Sequence, residues 1–168
     1  MNRLIIDNLT IGYRHKVIAG PLCGLFPCQQ LVCLIGRNGS GKSTFLRTLA
    51  GLQPPLSGDA RWQECDSAVS CRSLSKEELA RVFSVVLTEQ PDEVNLSVHD
   101  VVAVGRMPYT GFFGNLGKDD EAMVERALRL TGMSAFASRG ISTLSDGERQ
   151  KVMIARAIAQ HTPVMLLD

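Results

Sequence analysis

The sequence predicts an α/β domain with a largely parallel central sheet. Three observations carry this. Apolar, β-branched runs alternate with helical patterns along the 168 residues, the order that builds a sheet covered by helices. Residues 31–35 are continuously apolar, the mark of a strand buried on both faces. That run leads into a glycine-rich loop, residues 36–41, and then into a helical pattern.

Taken in order, residues 4–13 read as an edge strand pair, interrupted by Asp7 and Asn8. Residues 17–36 carry no charge and are long enough to span a bilayer. Pro21, Pro27, Gln29 and Gln30 favour strand–turn–strand there instead. A helix is expected over about 42–50, with Gly51 as its stop and Pro54 and Pro55 blocking its resumption. Residues 52–75 are turn-rich with weak strands. Residues 76–81 read as a short helix capped by Ser75, 82–87 as a strand, and 97–104 as a short helix capped by Ser97. Residues 105–118, rich in glycine and aromatics, read as loop. Residues 119–130 form an amphipathic helix with Met123, Ala127 and Leu130 on one face and Asp119, Asp120 and Glu121 in the first turn. A second long helix covers 146–160. Residues 164–167 are a final apolar strand that ends at Asp168. The two segments 55–80 and 90–140 are harder to place on the sheet.

Composition sets bounds. Hydrophobic residues make up 45% and charged residues 21%, which suits a globular core and not wholesale disorder. Lys and Arg number 18 against 17 Asp and Glu, so the strong basic excess of a dedicated nucleic-acid binder is missing. Cysteines at 23, 28, 33, 65 and 71 match no paired zinc spacing. They are expected as buried free thiols, Cys33 inside its apolar run, in a reducing compartment. Asp7 follows too short an apolar stretch for a signal peptide.

Gly36, Arg37, Asn38, Gly39, Ser40, Gly41, Lys42 and Ser43 satisfy G-x-x-x-x-G-K-[ST], followed by Thr44. The motif lies between an expected strand and a helix, where its chemistry requires it. Glycines let the backbone curl so that N–H groups point at phosphate oxygens, and the helix adds its positive end. Lys42 would reach the β- and γ-phosphates, and Ser43 would place a hydroxyl on Mg²⁺. The plain alternative, a glycine turn with a stray lysine, has a chance frequency on the order of one in a hundred or less.

A phosphate loop does not choose among kinases, GTPases, helicases and transport ATPases. A second motif does. Leu144, Ser145, Asp146, Gly147, Glu148, Arg149 and Gln150 precede an apolar helix. Ser145 and Glu148 make the S-x-x-E capping box. Alone it reads as a capped structural helix. Together the two motifs resemble the ABC ATPase family, and the resemblance covers the whole chain. The phosphate loop matches Walker A, residues 144–150 match the signature sequence usually written LSGGQ, and Val164, Met165, Leu166, Leu167 and Asp168 match Walker B. Gln90 falls where the family has its Q-loop glutamine, and Tyr13 where it has an aromatic residue stacking on adenine.

The resemblance implies a P-loop NTPase domain with an N-terminal antiparallel β part and an inserted helical subdomain, divided as a β part with the Walker A core (1–90), a helical signature subdomain (91–160) and the Walker B strand (161–168). It implies ATP and Mg²⁺ as cofactors, with Tyr13, residues 36–44, Ser145, Gly147 and Glu148 on the nucleotide, Ser43, Gln90 and Asp168 on the metal, and Gln90 and Asp168 as catalytic residues. Two positions depart from the pattern: Asp146 stands where the signature has glycine, and Glu148 where it has glutamine. The Asp146 carboxylate must therefore point away from a triphosphate. The chain also ends at the Walker B Asp, so the family's catalytic Glu and switch histidine are expected to be absent and the C-terminal part missing. His161 reads as an exposed residue at a helix end.

Residues 105–114, among them Gly105, Arg106, Pro108, Tyr109, Phe112 and Phe113, look like a segment of importers for ferric siderophores, haem and cobalamin. That resemblance implies an ATPase subunit on the cytoplasmic face of the membrane. Its partners would be membrane-spanning permease subunits, a second copy in a head-to-tail dimer, and indirectly a periplasmic or extracellular substrate-binding protein, with no nucleic acid. A soluble ABC ATPase of DNA repair or translation is the alternative, but no heptad run or basic tract accompanies it. A truncated product that only binds nucleotide is the third reading.

Overall fold

The computed structural model describes residues 2–87, 96–110 and 114–168. They form two compact units, Met1–Phe83 with Leu166–Asp168, and Ser84–Met165.

The first unit is built on a four-stranded antiparallel sheet of order β2-β1-β3-β4: β1 Arg3–Tyr13, β2 Lys16–Pro27, β3 Ser57–Glu64 and β4 Ser67–Ser70. This is the expected N-terminal antiparallel part. β1 is nevertheless interior and not an edge pair, since β2 and β3 flank it. Asp7 and Asn8 mark a bulge within one strand. The register with β2 shifts between Ile6 and Leu9, and Asn8 takes φ 47°. The extra residue resets the alternation, so Leu4 and Ile6 before it and Leu9 and Ile11 after it all reach the core. β3 is an eight-residue strand, longer than the weak strands expected, because Ala60 and Trp62 alternate inward. α1, Lys42–Leu49, ends where Gly51 adopts φ 71°. α2, Lys76–Val82, starts on the Ser75/Glu78 capping box.

Residues 31–35 correct the expectation of a buried strand. They form no strand, and Leu31 and Ile35 are 91% and 96% exposed. An apolar run becomes a buried strand only if ladders form along both its sides, and no described strand pairs with it. Two further strands, β5 Phe83–Val86 and β6 Val164–Leu167, pair with each other in a separate sheet. Cys33 is exposed with its run, as are Cys23 and Cys65. Only Cys71 is buried, and burial pushes its thiol up to about 11. The five thiols are free, as expected, but most are not in a core. Among the described residues no three His, Cys, Asp or Glu side chains cluster as metal ligands, and no helix is long and apolar enough to cross a membrane.

The second unit packs α3 (Val98–Ala103), α4 (Lys118–Leu130) and α5 (Asp146–Gln160) around Val98, Val102, Val124, Leu128, Met133 and Val152. α4 buries Val124, Ala127 and Leu128. Leu130 is exposed instead of sharing that face, because it projects about a third of a turn away from the Val124–Leu128 line. The expected loop after α3 begins as a 3-10 segment, Val104–Tyr109. Gly105 sits so close to α5 that a Cβ would run into the Arg156 carbonyl. Arg106, 8% exposed, donates to Ala159 O at 2.9 Å and to Asp120 Oδ1 at 2.9 Å, with its guanidinium 4.1 Å from the Tyr109 ring centre. One cation thus satisfies the C-terminal end of α5 and the N-terminal end of α4.

Candidate functional site

In the first unit the loop 36–41 runs exposed into α1. Its turn closes through Ser40 N–H donating to Arg37 O at 3.1 Å. Gly41 is the N-cap of α1 at φ 97°, and a Cβ there would strike the Ile18 side chain. No side chain caps the helix. Its first N–H groups and positive dipole end are therefore available to an anion. Arg37 and Asn38 are exposed, and a Cβ at Gly39 (φ 80°) would meet nothing, so space lies open over the loop.

Lys42 Nζ donates to Gly36 O at 2.9 Å and Arg37 O at 3.0 Å, which draws the ammonium back over the curl of the loop. Ser43 Oγ donates to Asp168 Oδ1 at 2.7 Å. A hydroxyl and a carboxylate oxygen at one point are a hard-oxygen pair, the donor type a small divalent cation takes. Thr44 is buried, and its Oγ1 lies 3.4 Å from Tyr13 OH. Tyr13 is exposed and so stands at the first turn of α1. An apolar recess of about 290 Å³, lined by Leu22, Phe26, Leu34 and Phe45, opens beside Ser40 and Lys42.

In the second unit α5 starts on a closed capping box. Ser145 N–H and Oγ both donate to Glu148 Oε2 at 2.8 Å, and Glu148 N–H reaches Ser145 Oγ at 3.4 Å. The Ser145 backbone N–H and then its hydroxyl hold the Glu148 carboxyl below the usual carboxylate range. Asp146 Oδ1 accepts from Arg149 Nη2 at 2.8 Å, so its charge is tied back along the helix. Gly147 faces open space. His161 caps the other end at φ 53° and is exposed.

The structure thus gathers residues 36–44, Tyr13 and Asp168 in one unit, and Ser145, Gly147 and Glu148 in the other. Gln90, Phe112 and Phe113 lie outside the described residues. Sequence reasoning missed Arg149 as the partner of Asp146. The acid–base spacing of three on a helix was the available signal.

The family model described as "ABC transporter" matches residues 25–168. The chain is 35% identical over 168 residues to the iron(3+)-hydroxamate import ATP-binding protein FhuC of Bacillus subtilis, covering all of this chain and 61% of that protein. It is 35% identical over 166 residues to the ferric enterobactin transport ATP-binding protein FepC of Escherichia coli, covering 99% of this chain and 60% of that one. It therefore spans about three-fifths of the length of these relatives. A solved inward-facing structure described as of metal-chelate transporter type superposes with a TM-score of 0.80 at 26% identity, covering 99% of this chain and 59% of that one.

Proposed function

The chain belongs to the ABC transporter family, and from that premise we propose that it binds and hydrolyses ATP to power an importer for a ferric siderophore, haem or cobalamin. The observation that carries the reading is the convergence of Lys42, Ser43 and Asp168 at the open end of α1. Backbone N–H groups of the loop take the phosphate oxygens, and Lys42 leaves its two carbonyls for the β- and γ-phosphates. Tyr13 stacks on the adenine. Ser43 and Asp168 would hold Mg²⁺, which would neutralise phosphate charge; Gln90, outside the described residues, keeps the metal-sensing role that the family resemblance implies. Ser145 and Gly147, in the stretch that includes Glu148, donate to the γ-phosphate held by a second copy. The chain's own contribution to hydrolysis is mostly positioning and charge stabilisation.

The names of the two relatives, for ferric hydroxamate and ferric enterobactin, favour a ferric siderophore within the class. The partners are then membrane-spanning permease subunits and a second copy of the chain, with a substrate-binding protein acting from outside. The site of action is the cytoplasmic face of the membrane. Calorimetry on Lys42→Ala tests the reading. Losing one charge-assisted contact of about 1.5–3 kcal/mol lowers ATP affinity roughly ten- to a hundredfold. Unchanged affinity would mean that the loop is not the phosphate site.

A further inference from the structure

The end of β1 runs on beyond the strand beside it. β1 pairs with β3 only as far as Thr10 opposite Ser57, and then continues to Tyr13. The segment 53–56, which leads into β3, takes over there. Leu56 N–H donates to Thr10 O at 2.8 Å, and Gln53 Nε2 donates to Gly12 O at 2.6 Å. The first bond is backbone to backbone and does not depend on the side chain. The second does: a carbonyl only accepts, so a donor group must stand at position 53. Gly12 has little slack, since a Cβ there would strike the Lys16 carbonyl and the Leu56 side chain.

Both holds on this strand end come from α1. Tyr13 OH lies 3.4 Å from Thr44 Oγ1, in the first turn of the helix. Gln53 comes just after the other end, where Gly51 turns the chain at φ 71° and Leu52 N–H returns to Arg47 O at 3.0 Å. Gly12 is thus pinned from beyond the last turn of α1, and the Tyr13 hydroxyl from the first turn. Tyr13 itself is 50% exposed, so its ring is accessible to a flat partner.

We propose that Gln53 is a positioning residue for the nucleotide base: by donating to the Gly12 carbonyl it holds the backbone beside Tyr13 and fixes the ring relative to the helix that carries Lys42 and Ser43. The proposal rests on the reading of Tyr13 as the residue that stacks on adenine. A base and a triphosphate belong to one rigidly linked ligand, so a platform that wanders relative to the phosphate loop loses part of the binding. Gln53 makes α1 the common reference for both.

The test measures binding of ATP and of inorganic tripolyphosphate, both with Mg²⁺, to the full chain by calorimetry. Wild type is compared with Gln53→Glu, which keeps the shape and sets acceptor against acceptor, with Gln53→Ala, with Tyr13→Ala and with the double variant Tyr13→Ala/Gln53→Ala. Either Gln53 variant should weaken ATP binding about three- to tenfold, the range of one neutral hydrogen bond, and leave tripolyphosphate unchanged. Gln53→Ala should have no further effect once Tyr13 is replaced. A bond that only supports the fold would lower both ligands equally or add to Tyr13→Ala, and either result overturns the proposal. A loss of ATP affinity in Tyr13→Ala with none in the Gln53 variants overturns it as well and leaves the adenine reading standing. No loss in Tyr13→Ala overturns both. Hydrogen exchange without ligand gives a second reading that needs no nucleotide. Amides 12–16 should exchange severalfold faster in both Gln53 variants, and amides 42–49 as in wild type. Unchanged exchange at 12–16 would overturn the proposal.

Discussion

Ser43 and Asp168 are 125 positions apart in the sequence, and the hydroxyl of one donates to the carboxylate of the other at 2.7 Å. The first turn of α1 is thereby joined to the residue that follows β6. No local pattern contains this relationship, yet both partners were singled out from their separate motifs.

Asp168→Asn keeps an acceptor for Ser43 and removes the charge that would hold a divalent cation. ATP affinity in Mg²⁺ should fall about tenfold or more, in line with a charge-assisted contact. Affinity in EDTA should stay as it is. Titration calorimetry in the two buffers distinguishes them, and an equal loss in both would remove Asp168 from the metal site.

The Arg106 clamp makes a stability prediction for the helical unit. Asp120 takes Gly117 N–H at 3.0 Å as well as Arg106 Nε at 2.9 Å. Asp120→Ala strands the guanidinium in a largely buried position, at a cost of about 2–3 kcal/mol. Gly105→Ala should be comparably harmful, because the added Cβ meets backbone, the Arg156 carbonyl. Urea unfolding followed by circular dichroism reads both. A change under about 0.5 kcal/mol in either would mean that the clamp is not a fixed part of the fold.

Acid should unfold the helical unit through its capping carboxylates. Asp100 is held below the ordinary range by the Ser97 hydroxyl and N–H, Asp120 by the Gly117 N–H and then Arg106, and Glu148 by the Ser145 N–H and hydroxyl. A carboxyl whose folded pKa is depressed contributes stability that is complete above its unfolded pKa, about 4, and is lost as pH falls through the folded value. Denaturant midpoints should therefore be level from pH 7 to about 5 and drop below about 4. Asp100→Asn with Asp120→Asn should flatten that drop. An unaltered acid limb in the double variant would assign the effect to other groups.

Much of the candidate site could be read along the chain because it is made of short motifs whose chemistry depends on spacing. Gly41 had to turn, Lys42 had to follow it, and Ser145 and Glu148 had to face each other across one helical turn. Each is settled within a few residues by backbone geometry. The same holds for the helices capped by Ser75 and Ser97. What failed were particular expectations that depend on distant neighbours. Residues 31–35 have the composition of a buried strand and no described strand beside them. Cys33 shares their exposure. Leu130 belongs to an amphipathic helix but lies beyond the stripe that its partners cover.

The sequence by itself determined the glycine-rich turn before α1, the helix starts, the signature-like turn and the family they point to. These rest on local sterics and hydrogen-bond spacing, which a chain carries wherever it folds. Only the tertiary structure decided that β1 lies inside its sheet, that Arg106 binds two helix ends, and that Ser43 meets Asp168. Burial and charge pairing between segments are properties of neighbours in space. A one-dimensional pattern states that a residue needs a partner, and packing selects which one it receives.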